Sequence, residues 1–173
     1  MTYSLHYFLL HTQKQSNGKI TIHSANAGDA RAVLSRRPAN GDSKDSGSHK
    51  SYRLTLDHRA DDPKELSRVE DSGGFVMRNR VLGVLAVTRS LGDHGIMKEF
   101  VVGKPYVDSI NFDNGEGEFI ILACDGLFDV LDDQEAVDLV RNLKRREDAA
   151  QMLCSEALKR GSTDNVTVIV SWF

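Results

Sequence analysis

Two periods alternate along the chain. Lys19 to Asn26 sets Ile20 and Ile22 on one face with polar residues between them, the two-residue period of a half-buried strand. Gly28-Asp29 supplies a turn and Arg31 to Arg36 runs on as a second strand, so the pattern predicts a hairpin. The Gly/Ser/Asp/Lys-rich stretch from Pro38 to Ser51 predicts a solvated loop, and Tyr52 to Leu56 returns to strand character. Phe75 to Met77 and Val81 to Val87 predict strands around a turn at Arg78 to Arg80, whereas Gly92 to Asn111, which holds Pro105, reads as irregular. Phe119 to Cys124 is a continuous apolar run, too short and too β-branched at its centre for a helix, and predicts a buried strand. Val166, Val168, Val170 and Trp172 alternate with Thr167, Ile169 and Ser171, giving a closing strand from Asn165 to Phe173. The apolar, aromatic start from Met1 to Leu10 also reads as a strand.

The helical period occurs three times. Asp62 is an N-cap, Pro63 suits the first helical position, Glu65 is placed to complete a capping box, and Leu66 and Val69 share a face before Gly73-Gly74 ends the helix. A second helix opens at Asp132 with Glu135 as its box partner and carries Ala136, Leu139, Val140 and Leu143 as an apolar stripe. A third opens near Asp148, with Ala150, Leu153, Cys154, Ala157 and Leu158 on one face and Gly161 as its stop. Strands, helix, strands, two helices, strand is an α+β order, with helices layered on largely antiparallel strands.

Composition narrows the partners. With 173 residues, 40% hydrophobic and 27% charged, the chain is one folded domain rather than a disordered segment. A net charge of -3 argues against nucleic acid as the main partner. Lys144-Arg145-Arg146 is read as completing a helix dipole rather than as a polyanion site. Cys124 and Cys154 form neither a metal knuckle nor a disulfide framework; Cys124 reads as a buried structural thiol, and this usage fits a reducing, intracellular compartment, cytoplasmic or nuclear. The N-terminus lacks a basic leader and a cleavage site and is shorter than the ~20 residues a membrane span needs, so no membrane partner is expected.

Four aspartates stand where strands meet loops: Asp29 at the turn, Asp125 after the buried strand, Asp129 four residues on, and Asp164 before the last strand. Carboxylates are the ligands of hard cations such as Mg²⁺ or Mn²⁺, and two such ions can bind phosphate oxygens and acidify a bridging water. Taken singly, each aspartate is an ordinary turn or cap residue.

Their sequence contexts change that reading. Ala25-Asn-Ala-Gly-Asp-Ala-Arg31, Leu54-Thr-Leu-Asp-His58, Leu85-Ala-Val-Thr-Arg-Ser-Leu-Gly-Asp93, Leu122-Ala-Cys-Asp-Gly-Leu-Phe-Asp129 and Ser162-Thr-Asp-Asn-Val-Thr167 follow in that order. Together they resemble the successive motifs of the PPM family of metal-dependent serine/threonine phosphatases, the protein phosphatase 2C type, and most of all its fungal members. The resemblance covers roughly Lys19 to the C-terminus, dividing the chain into an N-terminal segment, 1–18, and a portion of the phosphatase domain, 19–173. It implies a β-sandwich flanked by helix pairs in α-β-β-α layers, Mg²⁺ or Mn²⁺ as cofactor, and phosphorylated proteins as substrates, with metal-bound hydroxide attacking phosphoserine or phosphothreonine phosphorus directly. By the same resemblance Asp125 and Asp164 match core metal ligands. Asp29, with Asp125 and most weakly Asp129, matches an accessory third position, and Asn165 is a conformational neighbour. The stretch from Arg68 to Thr88 resembles the flap beside the active site.

The resemblance also implies residues before Lys19 that this chain does not show: an Arg for phosphate, a Glu-Asp pair and an Asp-Gly-His-Gly-Gly motif. Asp93-His94-Gly95 and Arg68-Val-Glu-Asp71 imitate parts of these but belong to other segments, and Ala30 replaces the commoner Ser. The expectation is therefore the family fold without its N-terminal part, with metals held partly by water and with sheet edges and an apolar face left open. The rival expectation is a non-catalytic fragment or regulatory domain of the same fold, acting by binding. An unrelated metal-dependent phosphodiesterase ranks last, because the histidines (6, 11, 23, 49, 58, 94) form no ligand-spaced pair on a helix. His58 reads as a hydrogen-bonded structural residue.

Overall fold

The apolar run at the centre of the sequence becomes the centre of the fold. The computed structural model describes residues 4–5, 7–37, 49–92 and 99–173, with side chains from residue 9 onward. In chain order the strands are β1 (Ser4–Leu5), β2 (Tyr7–Lys14), β3 (Lys19–Ala27), β4 (Arg31–Arg36), β5 (Lys50–Arg53), β6 (Val76–Met77), β7 (Arg80–Val81), β8 (Leu91–Gly92), β9 (Tyr106–Asp113), β10 (Gly117–Ala123) and β11 (Val168–Trp172). The helices are α1 (Pro63–Asp71), α2 (Asp125–Phe128), α3 (Asp133–Arg141) and α4 (Ala149–Lys159), the last entered through a 3-10 turn at Arg146–Asp148. No helix among the described residues is long and apolar enough to cross a membrane.

β10 is flanked by antiparallel partners on both sides, in a four-stranded sheet of order β11-β10-β4-β5. Its side chains alternate between two cores, as the pleat requires. Phe119, Ile121 and Ala123 join Val33 of β4 and pack against α2, α3 and α4 through Leu127, Val137, Val140 and Leu153. Ile120, with Ala32 and Leu34 of β4, faces the second sheet, β2-β3-β9, and meets Ile20, Ile22 and Phe112 there. β4 is buried over its first five positions because both of its faces are covered. The layers are thus helix, sheet, sheet. Among the described residues the outer face of the second sheet is open: Leu9 and Val107 flank Ala25 in one row across it and are 65% and 64% exposed.

Several sequence expectations change. Lys19 to Asn26 and Arg31 to Arg36 do not form a hairpin; β3 pairs with β2 and β9, and β4 pairs with β10 and β5. Residues 28–30 carry the chain from one sheet to the other, with Gly28 at a φ of 106° that a side chain would oppose. Gly92 to Asn111 is not irregular throughout, since β9 begins at Tyr106 and pairs with all but the last residue of β3. Its exposed face carries Val107, Ser109 and Asn111, so the hydrophobic signal there was diluted. The expected strand from Val81 to Val87 shrinks to a two-residue pairing of Val76 with Val81 and Met77 with Arg80. Its turn residues Arg78 and Asn79 both have positive φ (53° and 57°), the form that matches the twist of a tight hairpin. Strand pairing resumes at Lys50 rather than Tyr52. Most of the expected loop from Pro38 to Ser51 lies outside the described residues, as do Asp93 and His94.

The caps show one success and one partial failure. Asp132 and Glu135 form the full capping box of α3. Asp62 caps α1 by accepting from Lys64 N and Glu65 N, but the Glu65 side chain turns away into a buried ion network instead of closing a box. α3 ends at Arg141, so Lys144-Arg145-Arg146 lies beyond its last turn. Arg145 there pairs with Glu147 and Asp148, and the Arg146 guanidinium stands 4.4 Å over the Trp172 ring.

The packing predicts an asymmetry within α4. Leu153→Ala, at a fully buried position, should lower unfolding free energy by about 2–5 kcal/mol in urea titration, whereas Leu158→Ala, 61% exposed, should change it by less than about 0.5 kcal/mol. Equal effects at the two positions would contradict the helix layer described.

Candidate metal centre

Strand register decides which aspartates meet. Ala123, the last residue of β10, lies opposite Arg31 at the start of β4 and Val168 at the start of β11. Asp29 precedes β4 by two residues, Asp125 follows β10 by two, and Asp164 precedes β11 by four. All three therefore fall at one end of the four-stranded sheet. Asp125 opens α2 and Asp129 caps its C-terminus, with Asp129 N donating to Asp125 O at 2.8 Å; one helical turn carries both carboxylates on one side.

A close backbone approach fixes the Asp125 and Asp164 segments to each other. A Cβ on Gly126 would stand 2.2 Å from the Asn165 carbonyl oxygen, so only glycine permits the approach. The Cys124 Sγ donates to Asn165 O (3.1 Å) and accepts from Thr167 N (3.3 Å), and Ser162 Oγ donates to Gly126 O (2.7 Å). Cys124 is thus half-buried and hydrogen-bonded, where its apolar neighbours suggested a buried structural thiol. Asp125 and Asp164 are each also tied to their own turn: Asp125 Oδ1 accepts from Gly126 N (2.9 Å) and Asp164 Oδ1 from Asn165 N (2.7 Å).

The other three aspartates act electrostatically on Asp125. Burial pushes the Asp125 carboxyl above its ordinary range, and Asp29, Asp164 and Asp129 push it further. Asp29 is nearly inaccessible (3%), while the Asp129 side chain is 48% exposed. Arg59 spans the pair: its Nη1 and Nη2 donate to the two oxygens of Asp129 (2.8 and 3.3 Å), and its Nε lies 3.6 Å from Asp29 Oδ2. The hydrogen bonds to Asp129 raise the Arg59 pKa, so this cation stays charged. No three of the described His, Cys, Asp and Glu side chains are gathered into a ready-made ligand cage. The two observations differ in range: Asp125 feels its neighbours' charge without the side chains being drawn to chelating distance. The donor set is all oxygen and of one charge, which fits a hard divalent cation and does not fit zinc.

Two buried ion networks hold this end of the molecule. Arg31 donates to Asp57 and, at 2.7 Å, to Asp133 Oδ1, while Arg53 Nε donates to Asp133 Oδ2 at 2.8 Å and the Arg31 guanidinium lies 4.5 Å over the Phe128 ring. Burial raises the Asp133 carboxyl, but the Arg53 and Arg31 hydrogen bonds and charges outweigh it and hold the group low. The second network centres on Glu65, which accepts from Arg89, Arg68 and Thr88 Oγ1. It pins α1 to the segment leaving the β6-β7 hairpin, the region whose sequence resembles the flap. Phe75, Met77 and Val84 stand exposed on it (53, 54 and 59%). His58 is wholly buried, and its Nδ1 donates to Gly28 O at 3.0 Å, bracing the turn that carries Asp29. That is the structural role its sequence position suggested.

Sequence reasoning singled out the four aspartates as candidates and did not assign the structural roles of Arg59, Glu65 and Gly126. Arg59 had a signal, its place directly after Asp57-His58. Glu65 was claimed by its capping position, and the close approach of Gly126 leaves no local trace because its partner is 39 residues away.

The family model for protein phosphatase 2C matches residues 8–166. Protein phosphatase 2C homolog 1 of Saccharomyces cerevisiae is 48% identical over 149 residues, covering 86% of this chain and 48% of its own length. The Schizosaccharomyces pombe protein of the same name is also 48% identical over 149 residues, covering 86% of this chain and 40% of its own. Among solved structures, a phosphatase from Toxoplasma gondii aligns with a TM-score of 0.73 at 28% identity, over 90% of this chain and 49% of that one. A Caenorhabditis elegans sex determining protein aligns with the same TM-score at 25% identity, over 89% and 38%. The chain belongs to the protein phosphatase 2C family, a family of metal-dependent enzymes. It spans about half the length, or less, of the curated relatives it matches.

Two measurements check this geometry. Gly126→Ala forces Asn165 away and should cost about 1–3 kcal/mol of unfolding free energy; an unchanged urea midpoint would contradict the close approach. Burial raises the Glu65 carboxyl, but hydrogen bonds from Arg89 and Thr88 and the charges of Arg68 and Arg89 outweigh this and hold it at about 2, below its ordinary 4.5. The stabilisation is therefore complete above the unfolded value and lost as pH falls toward the folded one. Glu65→Gln should be less stable than wild type at pH 7, and its unfolding free energy should fall less between about pH 5 and pH 2.

Proposed function

We propose that this chain carries the carboxylate side of a protein serine/threonine phosphatase centre, with Asp125 and Asp164 as core metal ligands, Asp29 as an accessory ligand and Asp129 as the weakest. The observation that carries the reading is the strand register that brings Asp29, Asp125 and Asp164 to one end of the four-stranded sheet; burial and the three neighbouring carboxylates push the Asp125 carboxyl up. A protein that gathers like charges around a half-buried acid gains stability when a cation arrives. Mg²⁺ or Mn²⁺ is the proposed ion, on the oxygen chemistry of the donors.

When bound, such ions supply Lewis acidity, acidifying water and neutralising phosphate charge. The residues of this chain do the rest. Asp125 and Asp164 present carboxylates from segments clamped by the Gly126–Asn165 approach, and their remaining oxygens are oriented by the hydrogen bonds from Gly126 N and Asn165 N. The exposed Phe75, Met77 and Val84 offer apolar contact to residues flanking a phosphoserine or phosphothreonine in a protein substrate. An intracellular setting, cytoplasmic or nuclear, belongs to the same proposal and is supported by two free thiols.

The test is Mn²⁺-dependent release of phosphate from a phosphothreonine peptide by this chain, compared with Asp125→Asn. The proposal expects activity that the substitution lowers by at least about 10- to 100-fold, the loss that changing even a ligand's hydrogen-bond partner causes. Equal rates for the two proteins would sink catalysis by this chain and leave a binding role for the same fold.

A further inference from the structure

Arg59 has a position that the metal-centre reading does not use. Its guanidinium forks onto both oxygens of Asp129 and its Nε lies within ion-pair distance of Asp29, so one side chain faces two of the carboxylates assigned to the accessory ion. The backbone beneath it is fixed. Arg59 forms a β-bridge with Val87, Ala60 N donates to Ala86 O (3.0 Å), and Thr88 N donates to His58 O (2.9 Å). The head group is not fixed in the same way, because the Arg59 and Asp129 side chains are 33% and 48% exposed. A long charged side chain on a rigid stem can leave its partners without disturbing the strand that carries it.

We propose that Arg59 is a tethered competitor for the accessory cation: its guanidinium occupies the Asp29–Asp129 oxygens when the ion is absent and leaves Asp129 when the ion binds. The inference rests on the reading of Asp29, Asp125 and Asp129 as that ion's ligands. A monovalent organic cation and a divalent metal seek the same lone pairs there, so each weakens the other. The partly exposed fork is held by a modest interaction, which makes the exchange easy to drive at ordinary divalent concentrations. Because Arg59 and Val87 are bridged, the exchange takes place at the base of the exposed hairpin segment.

Mn²⁺ binding to the full chain, read from the free-ion electron paramagnetic resonance signal, tests this without reference to turnover. Arg59→Gln should tighten binding roughly 1.5- to 5-fold, the range set by losing one competing, partly solvated ion pair. Asp129→Asn in the same background should cancel that gain. In wild type, the Arg59 side-chain Nε–H resonance should move as diamagnetic Mg²⁺ is added. Unchanged or weaker Mn²⁺ affinity in folded Arg59→Gln, with wild-type binding still dependent on Asp125, would overturn the competitor role and spare the metal-centre reading. Binding unaffected by Asp125→Asn would remove both. Should Arg59→Gln not fold, the wild-type Mg²⁺ titration decides alone, and an Arg59 resonance that stays still at saturation overturns the proposal.

Discussion

Everything at the candidate centre depends on one register. With Ala123 opposite both Arg31 and Val168, the end of one strand is set against the beginnings of its two neighbours. Antiparallel pairing then obliges the residues just outside those strands to share an edge of the sheet. Asp29, Asp125 and Asp164 are separated by long stretches of chain, and no local structure could bring them together. A slip of one residue in either pairing would turn the alternating side chains of β10 into the wrong cores, so the cost of losing the site is the cost of losing the fold. Burial of Phe119, Ile121 and Leu34 therefore enforces the position of the acids at the sheet's end.

Charge is handled in two ways at this end of the molecule. Around Arg31, opposite charges are matched: Asp57 and Asp133 face Arg31 and Arg53, and the Asp133 carboxyl is held low. Around Asp125, like charges are gathered and its carboxyl is held high. The matched set is where burying charge supports the fold; the gathered set is where a protein keeps electrostatic potential for a ligand. Arg31 and Asp29 stand two residues apart, so the chain passes from one regime to the other within a single turn.

The sequence made legible whatever is written locally. The buried run at Phe119, the alternation at Val166 to Trp172 and the Asp132–Glu135 box all appear in the structure because each is decided by neighbours within a few residues. The acidic residues were visible through their motifs. What escaped was decided at long range. Asn26-Ala-Gly-Asp29 looks like a hairpin turn because a sheet-to-sheet crossing uses the same glycine and the same polar residues. β9 was hidden because half of it faces outward, and its pairing with β3 is set far from it in the sequence. Glu65 could cap a helix or neutralise two arginines, and the choice depended on Arg89, 24 residues away.

The same register has a kinetic side. Arg31 to Arg36 pairs with residues about ninety positions later in the chain, and β3 pairs with β9 at nearly the same remove. Contacts of such long range are slow to form, since the loop entropy is spent before the contacts reward it. The acids at the sheet's edge meet only once that closure is complete. Their mutual repulsion is thus absent from the unfolded chain and acts on a nearly finished molecule, where a cation would slow unfolding more than it speeds folding.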